Sequence, residues 1–173
     1  LKDALDRYTP VFEAEFLARM RPKLGLRKAR KGDNELIGEL LGMLQESHAD
    51  YTLVFRELGG FNSAPGSANE RLREHFLNRG RFDTWAARYR SRLQDEGSDD
   101  GDRRDRMNRV NPCYVLRNYL AQSAIEKAQH KDYSEIARLF ELLQDPYRER
   151  SGMDAYAAAP PNWGKHLNVS CSS

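Results

Sequence analysis

Leu1, Leu5, Tyr8, Phe12 and Phe16 recur at steps of three and four, which predicts one apolar face of a helix. Pro10 falls inside that face. Either it kinks one long helix, or Thr9 caps a second segment with Pro10 at its first position. Met20 closes the run before Arg21-Pro22. Asp33 or Asn34 can cap the next helix, whose apolar positions are Leu36, Ile37, Leu40, Leu41 and Leu44. A shorter segment with Tyr51, Val54, Phe55 and Leu58 is stopped by Gly59-Gly60.

Residues 61–68 read as a loop, and 69–78 as a short helix carrying Leu72 and Phe76. Gly80 punctuates, and Phe82, Trp85, Ala86, Tyr89 and Leu93 mark another helix. Residues 95–106, charged and Gly-containing, predict a mobile connector. At Asn111-Pro112 a preferred cap precedes a residue favoured at the first helical position, so a helix is expected through Leu116, Tyr119, Leu120 and Ala124. Asp132 with Glu135 resembles a capping box opening a last helix, with Ile136, Leu139, Phe140 and Leu143 on its apolar face. Asp145-Pro146 ends it. No internal period is present.

Composition strengthens the helical reading. Five Val, three Ile and three Thr are 11 residues of 173, too few β-branched side chains for an all-β or parallel α/β protein. The expected fold is all-α: an irregular bundle of about six to eight helices with an extended C-terminal tail. Residues 1–147 form the expected helical domain, and 148–173 the tail. No run of 18 apolar residues exists, which excludes a helical membrane span. The first residue is not Met, the chain opens inside a helical pattern, and no signal peptide is recognisable. A piece of a longer protein is therefore the expectation. Two cysteines 58 positions apart, Cys113 and Cys171, make no disulfide framework, so a reducing cytoplasm is the default.

The net charge of +2 conceals asymmetry. Arg19, Arg21, Lys23, Arg27, Lys28, Arg30 and Lys31 form an acid-free basic stretch, while Asp95, Glu96, Asp99, Asp100, Asp102 and Asp105 form an acidic one. Solvated surface and loop is the plainer reading of both, and nucleic acid is disfavoured as a partner. A free-standing binding module using residues 19–31 is the alternative.

Signatures of catalysis are missing: no P-loop, dinucleotide glycine pattern, HExxH, CxxC or G-x-S-x-G. His48, His75, His130 and His166 are widely spaced, and surface histidine accounts for them better than metal ligation. Glu74 and His75 are adjacent, so on a helix their side chains diverge. Glu35 and Glu39 fall on an exposed stripe. Phe82, Trp85 and Tyr89 fit core packing better than a base-stacking platform. Asn168-Val169-Ser170 matches a glycosylation acceptor without secretion signals to support it. Cys171 is different. Flanked by Ser170 and Ser172 behind Pro160-Pro161, it is an accessible thiol available for exchange, or an incidental tail cysteine.

The stretch Met107-Asn108-Arg109-Val110-Asn111-Pro112-Cys113-Tyr114-Val115-Leu116-Arg117-Asn118-Tyr119-Leu120, followed by Ala124-Ile125, resembles the C-terminal region of the selenoprotein O family (SelO, called YdiU in bacteria). Asp132-Tyr133, Pro146-Tyr147 and Pro160-Pro161-Asn162-Trp163 leading to Cys171-Ser172-Ser173 fit in the same order. Upstream, Met20 to Leu26, Asp50-Tyr51 and Phe55-Arg56 agree as well. The resemblance implies a kinase-like protein that transfers AMP from ATP to Ser, Thr or Tyr hydroxyls of protein substrates, using Mg or Mn. Its nucleotide- and metal-binding residues belong to a kinase-like core upstream, so no catalytic, cofactor or metal residue is carried over. This segment is expected to bind no cofactor itself and to partner that core. One position transfers: Cys171 matches the third-from-last residue, for which the family implies redox regulation through a cysteine in the core. Cys113 is treated as incidental. A purely structural segment with Cys171 unused is the remaining alternative.

Overall fold

The computed structural model describes residues 2–167. Among them the chain forms nine α-helices, one 3-10 turn and no strand, an all-α fold as the β-branched deficit demands. The helices are α1 (Lys2–Lys23), α2 (Asp33–Glu46), α3 (Tyr51–Leu58), α4 (Glu70–Arg73), α5 (Arg79–Asp95), α6 (Asp100–Asn108), α7 (Asn118–Gln129), α8 (Ser134–Gln144) and α9 (Asp154–Ala157). They divide into two units, Leu1–Asn111 and Pro112–Ser173.

The first unit is built on the periodic positions. Leu36, Ile37, Leu40 and Leu44 of α2, Val54, Phe55 and Leu58 of α3, and Phe82, Trp85, Tyr89 and Leu93 of α5 share one core. Leu72 and Phe76 close it. The aromatic heads are satisfied inside: Trp85 Nε1 donates to the Leu36 carbonyl at 2.9 Å, and Tyr89 Oη to that of Leu24 at 2.7 Å. An unpaired polar head there would cost about 1–3 kcal/mol. Trp85 and Tyr89 stack at 5.0 Å, as core and not as a platform for bases. Side-chain caps start α3 and α5, where Asp50 accepts from the Leu53 amide and Asn78 from that of Arg81.

Helix α1 continues through Pro10 as one element. Its last turns pack, with Met20 buried and Phe16 and Leu17 partly buried against the core. The expected apolar face is not buried throughout: Tyr8 and Phe12 are 63% and 53% exposed.

Residues 95–106 are not a mobile connector. They contribute most of α6, started by Asp99, which accepts from the Asp102 amide at 2.9 Å. Arg103 and Met107, one turn apart, are both fully buried. The charge alternation hid this pair, because a long Arg stem packs like a hydrophobe once its guanidinium is satisfied. Here Asp100 accepts from Nη1 and the Phe61 carbonyl from Nη2, while the buried Nε has no partner among the described residues. Gly25, at φ +69°, lies against that stem, and a Cβ there would collide with Arg103 Cγ and approach Met107 Sδ to 2.9 Å.

In the second unit, α7 packs on α8 through Tyr119, Leu120, Ala124 and Leu139. A smaller cluster joins Cys113, Tyr114 and Leu142 to Met153, Tyr156 and Ala157. No helix starts at Pro112. Residues 112–117 are irregular and α7 begins at Asn118. The amides of Cys113 and Tyr114 both donate to the Pro146 carbonyl, at 2.9 and 3.2 Å, which takes them out of any helical ladder. The face of α8 is also rotated from expectation: Leu139 and Leu142 are buried, whereas Ile136 and Phe140 are 46% and 66% exposed. Past residue 148 the chain forms α9 and the turn Asn162–Gly164, where Trp163 meets Tyr119 edge-on at 5.9 Å.

Candidate functional site

Three buried polar centres organise the two units, and each gathers residues far apart in sequence. The first surrounds Asp33, whose side chain is 1% exposed. It does not cap α2; Gly32, at φ +96°, holds the cap position. Instead one carboxylate oxygen accepts from Arg92 Nε at 2.8 Å. The other accepts from Arg21 Nε at 3.0 Å and from the Arg30 amide at 2.9 Å. Burial acts to raise the Asp33 pKa, but Arg92, the Arg30 amide and Arg21 outweigh it and hold the carboxyl below its ordinary range. Arg92 continues to Glu96 at 2.7 Å and to the Lys28 carbonyl at 2.6 Å. Glu96 accepts the Arg27 amide at 3.3 Å.

This network consumes much of the basic stretch. Arg21 is spent on Asp33, and Arg30 reaches the Asp95 carbonyl at 2.9 Å. Arg19 sits one turn from Glu15 at 3.6 Å. Between the basic and acidic runs the side chains of Arg30 and Asp95 pair at 3.8 Å, and Arg27, Lys28 and Lys31 stay exposed.

Lys23 and Asn111 make the second centre. Asn111, 1% exposed, donates from Nδ2 to the Lys23 carbonyl at 2.9 Å and accepts from Lys23 Nζ at 3.3 Å. Lys23 Nζ also reaches the Val110 carbonyl at 3.4 Å and lies 5.7 and 5.6 Å from the ring centres of Tyr51 and Phe55. Arg56 Nη1 donates to the carbonyls of Asn108 and Asn111, both at 3.0 Å. Burial lowers the Lys23 pKa and raises that of Tyr51. Three sequence-distant stretches, 20–26, 50–56 and 107–111, converge here. Asn111 acts as the knot that ties them, not as a helix cap.

In the second unit Glu135, 6% exposed, accepts from Tyr156 Oη at 2.6 Å, Lys127 Nζ at 2.7 Å and Arg138 Nη1 at 3.3 Å. It therefore does not complete a capping box. Asp132 serves the nearer amide of Ser134 at 3.0 Å. Burial acts to raise the Glu135 pKa, and Lys127 and Tyr156 more than reverse it. Cys113 is buried, and its Sγ donates to the Pro146 carbonyl at 3.3 Å. A thiol so placed anchors the 112–117 stretch to the end of α8. Cys171 lies outside the described residues, as does the Asn168-Val169-Ser170 pattern.

The histidines do not meet. His48, His130 and His166 are exposed, while His75 Nε2 pairs with Glu57 at 2.8 Å, a carboxylate that also accepts from Arg71 at 3.0 Å. Glu39 pairs with Arg88 on the surface. Among the described residues no three His, Cys, Asp or Glu side chains group as a metal site, and no helix is long and apolar enough to cross a membrane. The buried carboxylates are saturated by cations and amides, which suits them to fixing helices rather than to moving protons. Local sequence offers Asp33 or Asn34 as a helix cap and pairs Glu135 with Asp132 in a capping box. For Asp33 the acid-free basic stretch just before it is the available hint, since Arg21, Arg30 and Arg92 converge on it; nothing local marks Glu135.

Residues 1–144 match the family model described as protein adenylyltransferase SelO. The chain belongs to the SelO family. Curated members align over nearly all of it. A protein nucleotidyltransferase YdiU of Myxococcus xanthus is 51% identical over 98% of this chain, and its counterpart in Pseudomonas fluorescens 48% over 100%. That of Herminiimonas arsenicoxydans is 49% identical over 99%. The chain spans only about a third of these SelO relatives, 35%, 35% and 34% of their lengths. The SelO match includes the central residue of each polar centre, Asp33, Asn111 and Glu135, while Tyr156, which donates to Glu135, lies beyond residue 144.

Proposed function

We propose that this chain is the helical C-terminal part of a protein adenylyltransferase that transfers AMP from ATP to Ser, Thr or Tyr hydroxyls of cytoplasmic proteins. In that reaction the hydroxyl attacks the α-phosphorus and pyrophosphate leaves. ATP, the Mg or Mn ion and the groups that hold them belong to a kinase-like core outside these residues, and no step is assigned to a side chain of this segment. Its own role is support: Asp33, Asn111 and Glu135 each lock several segments into one arrangement against which a catalytic part can be held. Cys171 serves as a redox-regulatory thiol that pairs with a cysteine of the core.

Membership of the SelO family over residues 1–144 carries this reading. Labelled ATP tests it. A full-length family member containing this segment transfers label to protein from α-labelled ATP and not from γ-labelled ATP; the reverse pattern means phosphoryl transfer and refutes the proposal. The thiol role is tested separately. In the full-length enzyme, Cys171→Ser abolishes the response of activity to glutathione redox buffers. An unchanged response rules that role out.

A further inference from the structure

Helix α1 is 22 residues long, about 33 Å at 1.5 Å per residue, yet among its residues whose exposure is described only the last turns touch the core. Every residue from 7 to 15 is exposed. On that stretch Tyr8, Val11 and Phe12 are 63%, 61% and 53% exposed. Tyr8 stacks on Phe12 at 5.9 Å, and Phe12 on the half-buried Phe16 at 6.1 Å. The aromatic ladder thus runs continuously from the core out along a bare helix. Pro10 removes one intrahelical hydrogen bond in the same stretch. A helix weakened in this way, with its apolar side in water, gains no packing to offset its ordering cost.

We infer that the Tyr8–Val11–Phe12 ridge docks against the part of the SelO chain lying outside these 173 residues, giving the proposed support role a specific contact surface. Two observations choose this occupant over a second copy. Relatives aligned over 98–100% of this chain, α1 included, have about two-thirds of their length outside the match. Among the residues whose exposure is described, the ridge is also small: three part-exposed side chains offer on the order of 300 Å² when an aromatic buries 150–250 Å². A stable independent interface needs about 800 Å² per partner. A segment joined by the same chain avoids the rigid-body association cost and can use so small a ridge.

The test is photo-cross-linking in the full-length Myxococcus xanthus relative, with p-benzoylphenylalanine at the positions aligned with Tyr8, Phe12 and, on the opposite side of the helix, the exposed Glu13. Cross-linked peptides are located by mass spectrometry. The positions of Tyr8 and Phe12 should join peptides outside the 170 aligned residues, within single chains, at least several-fold more than the position of Glu13. Cross-links between two copies, cross-links confined to the aligned residues, equal yields from all three positions, or no cross-link would each overturn the inference. The readout needs no ATP, so its failure and a failure of adenylyl transfer are distinguishable.

Discussion

Asp33 and Arg92, 59 positions apart, meet at 2.8 Å with side chains only 1% and 10% exposed. Removing one partner of such a pair leaves the other charged and buried, which costs about 3–5 kcal/mol. Asp33→Asn should therefore lower stability by that amount in urea unfolding. Arg88→Ala, which breaks a surface pair with Glu39, should change it by less than about 1 kcal/mol. Similar losses for the two variants would remove Asp33 from the centre of this account.

The same group sets an acid limit. The pKa values of Asp33, Asp100 and Glu135 are all lowered in the folded chain. A depressed carboxyl pKa adds stability that is complete above the unfolded value, about 4, and is lost as pH falls through the folded one. The urea midpoint should be level with respect to these groups from pH 7 to about 5 and then fall steeply. Asp33→Asn should flatten part of that fall, and an unchanged profile would contradict the assignment.

Asn111 offers a cleaner discrimination. Were it a helix cap, Asn111→Ser would be nearly neutral, because Ser caps as well as Asn. As the buried partner of Lys23, it should lose about 2 kcal/mol or more on that substitution, with Lys23 left short of an acceptor. Pro112→Ala should leave helix content by circular dichroism unchanged, since no helix begins there.

At Gly25 two demands coincide: a positive φ and contact with Arg103 and Met107. Gly66 has φ +79° but only open space where a Cβ would sit. Gly66→Ala should cost about 1–2 kcal/mol of backbone strain. Gly25→Ala should cost clearly more in thermal or urea unfolding, because the Arg103 stem must also move.

These sites show what was legible beforehand. Helices α2, α3 and α5 were readable because their apolar positions face one shared core at helical spacing. Residues 100–108 were not, because Arg103 counts as polar until Asp100 and the Phe61 carbonyl are placed beside it. Asn111-Pro112 carried every local mark of a helix start, and the Lys23 and Pro146 contacts overrode it from 88 and 33 positions away. Tyr8 and Phe12 were correctly assigned to an apolar face; local spacing does not say what covers that face. The family was legible from short stretches such as Asn111 to Asn118, whereas the partners of Asp33 and Glu135 required the tertiary structure.

On the proposed function, nucleotide chemistry resides outside these residues. Calorimetric titration of Mg-ATP into the 173-residue chain decides this. No saturable binding is expected at millimolar nucleotide, alongside clear binding by a full-length family member under the same conditions. Saturable binding by the 173-residue chain alone would contradict it.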